Sequence, residues 1–262
     1  MNLNLSDKNA LVCGSTQGIG RAAAVELALM GANVTLMARN EASLQAVLPS
    51  LSTANGQQHS YIVADFASSE NVQKAINDHP TQFANFQILI NNTGGPTGGP
   101  LIEAATTQLL QTFEMHLINN QLLAQAVVAG MKKAGFGRIV NVISTSVKQP
   151  IVGLGVSNTV RWAVASWAKT LSLELGQFGI TVNNVLPGYT KTGRLEAVNK
   201  MRATALGKSI EEVAAQLEAE IPMQRFAEVE EVAAAVAFLC SPAAAAISGI
   251  NLPVDGGKTG SL

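Results

Sequence analysis

The chain is short of the residues that staple, ligate or strongly charge a protein. Its 262 residues include only 2 cysteines, 2 tyrosines, 2 tryptophans and 3 histidines, and 13% of them are charged. Each scarcity excludes something. Cys13 and Cys240 lie far apart and form no Cys-x-x-Cys pair, so neither a disulfide framework nor a zinc site is expected, and a reducing cytoplasm fits. His59, His79 and His116 show no ligand spacing, so no metal site is expected. The 17 Lys and Arg are scattered and the formal net charge is −1, which argues against a nucleic-acid surface. No apolar run is long enough to span a bilayer, and Glu26 interrupts the best N-terminal candidate. The opening MNLNLSDKNALVCG lacks the basic start and long apolar run of a signal peptide, so no membrane partner is expected.

What the chain does have is apolar bulk. Hydrophobic residues make up 47% and mean hydropathy is +0.23, enough to bury a large core. Short β-branched runs, at residues 10–13, 33–37, 60–63, 87–91, 138–143, 181–186 and 250–254, alternate with helical patterns at 19–30, 41–51, 69–78, 106–133, 157–178 and 229–239. Strand and helix alternating in this way predict an α/β fold, a single doubly wound parallel sheet of about seven strands with helices on both faces. The strands read as continuous apolar runs, as burial on both faces requires. The whole chain, 1–262, is read as one domain. Residues 189–221 break the rhythm with a long insertion after a strand. Ser209-Ile-Glu-Glu212 is a capping box that should start a short helix, followed by apolar Val213, Leu217 and Ile221. Such an insertion either shapes a ligand pocket as a lid or is a surface excursion.

The first strand runs into Gly14-Ser15-Thr-Gln17-Gly18-Ile19-Gly20 and then a helix. Strand, glycine turn and helix start together can hold a pyrophosphate. Glycines let the backbone turn and approach the ligand, and the helix start offers free N–H groups and a positive dipole. The spacing i, i+4, i+6 differs from i, i+2, i+5, and Gly-rich turns also serve as plain connections. Gly207-Lys-Ser and Gly257-Lys-Thr lack the earlier glycine of an ATP-binding loop. At the end of the second strand, where NAD binders place an acid for the ribose 2′-hydroxyl, stands Ala38, followed by Arg39. A guanidinium there suits a 2′-phosphate, so the expected cofactor is NADP(H) rather than NAD(H). The alternative is a solvated loop arginine.

These residues and several more resemble the short-chain dehydrogenase/reductase family, its 3-oxoacyl-acyl-carrier-protein reductases among them, and the likeness runs to Val254-Asp-Gly-Gly257. Asn91-Asn92-Thr93-Gly94 is similar to that family's Asn-Asn-Ala-Gly stretch. Asp65, with Phe66 after it, matches the adenine-contacting aspartate. The segment 137–144 matches the strand that delivers the catalytic Ser144. Pro187-Gly188, Thr190 and Thr192 fall where the family meets the nicotinamide end. The resemblance implies hydride transfer between a nicotinamide and a small-molecule carbonyl or alcohol, a ketone or a 3-oxoacyl thioester. It also implies a tyrosine as proton carrier, a lysine four residues on, a serine at the substrate oxygen and a helix asparagine.

Here the chain departs from the pattern. Four residues beyond Tyr61 and Tyr189 stand Asp65 and Gly193, so no Tyr-x-x-x-Lys exists. Counting from Ser144 puts Ser157 at the tyrosine position and Arg161 at the lysine position. Counting back puts His116 at the asparagine position, with Asn119 and Asn120 one helical turn away. A serine hydroxyl is a poor general acid near neutral pH, and arginine stays protonated. Arg161 can still hold ribose hydroxyls, and Ser144 and Ser157 can still donate to an oxyanion. Three readings follow: a carbonyl reductase with a rerouted proton from His116, water or Tyr189; a silent NADP(H)-binding sensor or partner subunit; or a different reaction with a proton donor on the substrate. The pocket should lie among 94–100, 144–155 and 189–221. The helix from Ser157 is apolar on more than one stripe, which predicts a homodimer or homotetramer, the alternative being burial within one chain.

Overall fold

The computed structural model describes residues 1–261. Seven strands, β1 Asn9–Cys13, β2 Asn33–Ala38, β3 Ser60–Val63, β4 Ile88–Asn91, β5 Gly137–Val142, β6 Ile180–Pro187 and β7 Asn251–Val254, form one sheet in the order β3-β2-β1-β4-β5-β6-β7. Every pairing is parallel. The helices are α1 Gly18–Leu29, α2 Glu41–Val47, α3 Ser69–Asp78, α4 Pro80–Phe83, α5 Thr106–Phe113, α6 Asn119–Ala134, α7 Gly155–Leu175, α8 Gly193–Leu206, α9 Ile210–Ala219 and α10 Val229–Cys240. No helix among the described residues is long and apolar enough to cross a membrane.

Strands β1, β4, β5 and β6 are buried nearly throughout, because a parallel sheet is covered on both faces. Helices α1, α2 and α10 close one face, with Leu27, Leu44 and Val236 in its core. Helices α3, α4, α6 and α7 close the other, with Val72, Phe83, Leu123 and Ala168. Chain order reverses between β1 and β4. Their carboxyl ends therefore diverge into a crevice, where open sheets of this kind bind ligands.

The seven expected strands are all present, most within a residue or two of the expected bounds. The expected helix at 106–133 is interrupted. Residues Glu114–Ile118 form a π turn between α5 and α6. The widened turn sits between two tertiary ties: the Ser69 hydroxyl and N–H donate to Glu114, and Asn119 Nδ2 donates to the Phe66 carbonyl. Apolar periodicity carries no trace of such ties. The expected helix at 157–178 starts two residues earlier and ends in a 3-10 turn at Gly176–Phe178. The Ser209–Glu212 capping box forms and starts α9. Val213, Leu217 and Ile221 pack with Leu195, Ala203 and Phe226 into a separate small core. That core contains α8, which sequence periodicity did not indicate because its apolar residues hardly segregate to one face.

Candidate active site

One cavity of about 1340 Å³ runs along the carboxyl ends of the strands and under α8. Gly14, Gln17, Gly18 and Ile19 line one end, followed by Arg39, Asp65 and Phe66. Asn92, Thr93 and Gly94 line the middle. Ser144, Ser157, Arg161, Pro187, Gly188, Thr190 and Thr192 line the far end. The structure thus gathers into one cavity nearly all the residues singled out in the sequence.

The glycine loop is fixed by close approach. A Cβ on Gly14 would lie 2.4 Å from the Asn92 carbonyl oxygen, and one on Gly20 would lie 2.3 Å from the Gly14 oxygen. Asn92 Nδ2 donates to the carbonyls of Cys13 and Gly14 at 3.3 and 3.1 Å. Gln17 caps α1 without any side-chain bond to its first N–H groups, which leaves them open to an anion. Two residues of the expected cofactor set face the scaffold instead. Gly20 packs behind the loop. Ser15 is fully buried, its Oγ accepting the Met37 N–H at 3.0 Å and tying β1 to β2.

Arg39 is exposed at the cavity edge, and no carboxylate among the described residues pairs with it. Asn40, beside it, caps α2 through the Ser43 N–H at 2.8 Å. Asp65 Oδ1 accepts the Ala67 N–H, which holds the loop after β3. Thr192 starts α8 by accepting the Leu195 N–H, and its methyl carbon packs 3.4 Å from where a Cβ on Gly18 would stand.

At the far end, β5 delivers Ser144, and α7 presents Ser157 and Arg161 one turn apart on one face. Arg161 Nη1 donates to the Val142 carbonyl at 3.1 Å, so the guanidinium lies against the strand that carries Ser144. It is 8% exposed, has no carboxylate partner among the described residues, and its Nε has no partner at all. Burial lowers its pKa to about 10, with the nearby Arg194 charge acting the same way. It therefore remains a cation at neutral pH. A buried, partly unsatisfied cation is costly unless a ligand completes it. Together with the crowded glycine cradle, it fits a bound nicotinamide dinucleotide.

His116 lies in the π turn, 2% exposed and behind the cavity wall rather than on it. Its Nδ1 is 2.7 Å from the Thr93 hydroxyl, and its Nε2 makes no hydrogen bond. Burial, and then the Arg161 charge, push its pKa well below the ordinary histidine value, against the pull of the Gly94 backbone. Its imidazole is therefore neutral at pH 7. Asn119 and Asn120 are buried, Asn119 on the Phe66 carbonyl. Tyr189 lines the cavity, stacks edgewise on Phe226 and accepts a hydrogen bond from Arg202 at 3.3 Å. Sequence reasoning missed Thr93, Arg194 and Arg202. Thr93 carried a signal, a hydroxyl where the resemblance has alanine; the arginines carried none without the path of α8.

A family model described as enoyl-(acyl carrier protein) reductase matches residues 14–259. The chain is 35% identical over 255 residues to the 3-oxoacyl-(acyl-carrier-protein) reductase FabG of Vibrio cholerae, covering 97% of this chain and 98% of that protein. Its structure resembles L-sorbose reductase from Gluconobacter frateurii complexed with NADPH and L-sorbose, with TM-score 0.92, 30% identity and full coverage of both chains. It also resembles a short chain dehydrogenase/reductase family protein, with TM-score 0.81, 29% identity and 98% of each chain covered. Sheet order, glycine cradle and these likenesses agree, and the chain belongs to the short-chain dehydrogenase/reductase family of oxidoreductases.

Proposed function

We propose that this protein is an NADP(H)-dependent reductase of a small carbonyl compound, in which serine hydroxyls and a buried arginine replace the tyrosine and lysine of its family. The observation that carries this reading is Arg161, a buried cation with an unsatisfied Nε on the same cavity wall as Ser144 and Ser157. The NADPH held by the sorbose reductase and the unpaired Arg39 support the cofactor choice. When bound, NADPH supplies the hydride to the carbonyl carbon.

The chain's own residues handle the oxygen. Ser157 makes no side-chain hydrogen bond, so its hydroxyl is free to donate. The Ser144 oxygen accepts the Ser146 N–H at 3.1 Å, which leaves its hydroxyl proton for the substrate. Two such donors, with Arg161 behind them, stabilise a developing oxyanion. The proton that completes the alcohol comes from water in the wide cavity. His116 is walled off and neutral, and Tyr189 is engaged with Arg202. Residues 189–221 serve as the lid over the substrate. The α7 side chains Trp162 and Leu173 are 48% and 74% exposed, which supports pairing of this helix in a homo-oligomer.

The test has two stages. Titration with NADPH and NADH, followed by nicotinamide fluorescence, should show clear preference for NADPH; binding of neither ends the reading. Turnover is then measured in the native enzyme and in the double variant Ser157→Tyr, Arg161→Lys. Loss of turnover in the variant supports a rebuilt site. NADPH binding without turnover in the native protein, with turnover gained in the variant, points instead to a silent sensor. Unchanged turnover in His116→Gln is expected and would leave water as the donor.

A further inference from the structure

The cavity holds more positive charge than the cofactor site accounts for. Six cationic side chains line it, and two are neutralised: Lys191 by Glu228 and Lys258 by Glu220. Arg39 and Arg161 belong to the cofactor and reacting ends. Arg194 and Arg202 remain, with no carboxylate partner among the described residues. Both lie on α8. With Val198 they fall at i, i+4 and i+8, one helix face, and all three line the cavity. Of the acids on the wall, Asp255 accepts the N–H groups of Gly257 and Thr259. Glu196 is not paired, and it lies two residues on from Arg194, about 200° around the helix.

Arg194 is aimed rather than merely present. Its Nη2 donates to the Pro96 carbonyl at 2.5 Å, and its guanidinium lies 3.8 Å from where a Cβ on Gly95 would stand. The planar group thus rests in van der Waals contact with the 94–100 loop. From there its charge reaches Arg161. Arg161 and Arg194 line the same cavity as Ser144 and Ser157, and neither pairs with a carboxylate among the described residues. Arg202 stands two turns further out, roughly 12 Å along the helix, held by the Tyr189 hydroxyl.

We propose that the substrate is a free oxo acid whose carboxylate sits one or two carbons from the reacting carbonyl and is held by Arg194, with Arg202 drawing the anion in. This rests on the carbonyl-reductase reading of the same cavity. A guanidinium edge matches a carboxylate in a two-point, charge-assisted contact. An acyl thioester on a carrier would bring its phosphate far from the carbonyl and leave Arg194 unmatched. A neutral ketone would leave both arginines unmatched.

The experiment uses 2-oxo-4-phenylbutanoate and its ethyl ester on the full chain with NADPH, read by calorimetric binding and by NADPH oxidation. The acid should bind at least about tenfold tighter than the ester, a difference of about 1.4 kcal/mol. Arg194→Gln should erase that preference, and Lys133→Gln, on the exposed end of α6, should keep it. Equal binding of acid and ester, binding of neither, or a preference that survives Arg194→Gln overturns the proposal. Inorganic phosphate competing as tightly as the acid would overturn the carboxylate assignment. Preferential binding of the acid with no turnover would leave the anion site standing and remove the reductase reading. Equal turnover of acid and ester would do the reverse.

Discussion

The two ends of the cavity are built differently. At the dinucleotide end, the loops are held by the protein's own hydrogen bonds, while the first α1 N–H groups and Arg39 stay open to an anion. Asn92 holds the glycine loop, Ser15 ties β1 to β2, and Asp65 holds the turn after β3. At the reacting end, Arg161 Nε and the Ser157 hydroxyl have no partner among the described residues, and Arg194 has no carboxylate among them. Arg161 is buried, and a buried polar group without a partner costs stability, so it marks where a ligand supplies the missing half. The first end is dictated by backbone geometry and the second by what binds.

The sharpest test of that contrast is Ser157→Ala. It should lower kcat about 100–1000-fold, the usual effect of removing one oxyanion donor. Affinity for NADPH should stay within about twofold, since the glycine loop and Arg39 at the other end are untouched. A parallel loss of cofactor affinity would blur the two ends into one. Next comes Gly20→Ala, whose methyl would collide with the Gly14 oxygen. It should weaken NADPH by about 100-fold, roughly 2.7 kcal/mol, and tight binding by this variant would break the claim that backbone geometry rules there.

Arg39→Gln is expected to cut the preference for NADPH over NADH by about 10–100-fold, the worth of a charge-assisted phosphate contact. Dissociation constants for the two cofactors measure it directly. Arg161→Met should separate function from stability. Turnover is lost, while urea denaturation of the cofactor-free protein shows a gain of about 1–3 kcal/mol, because a buried unpaired charge has been removed. A destabilised variant would mean that Arg161 is a structural cation after all.

The smallest effect concerns His116. Its folded pKa is pushed well below the ordinary 6.5, so below that pH the unfolded chain binds a proton that the folded chain refuses. Its share of stability is whole above pH 6.5 and declines as pH falls. Denaturation midpoints across that range should decline less steeply in His116→Gln, in which the glutamine can still meet the Thr93 hydroxyl. An unchanged slope would indicate that His116 is wetter than its burial implies.

Much of the dinucleotide end was legible in the sequence. Glycines 14, 18 and 20 follow a strand and precede a helix, and only a few backbone paths satisfy that order. Arg39 could be placed by counting, because the second strand ends where the parallel sheet must end. The reacting end was legible as a list and not as an arrangement. Ser157 and Arg161 were singled out by counting from Ser144, and both line the cavity. That Arg161 lies against β5, and that His116 faces Thr93 behind the wall, depends on how α7 and the π turn pack. The role of α8 was invisible, since its apolar residues hardly segregate to one face and its partners come from α9 and Phe226.

The sequence by itself determined the parallel sheet, the glycine cradle and the absence of any Tyr-x-x-x-Lys, because apolar periodicity, positive-φ turns and residue identity are local properties. Only the tertiary structure decided which charges stay unpaired. Pairing depends on distances between segments far apart in the chain: Lys191 meets Glu228 across 37 residues, while Arg161 meets a carbonyl and no acid.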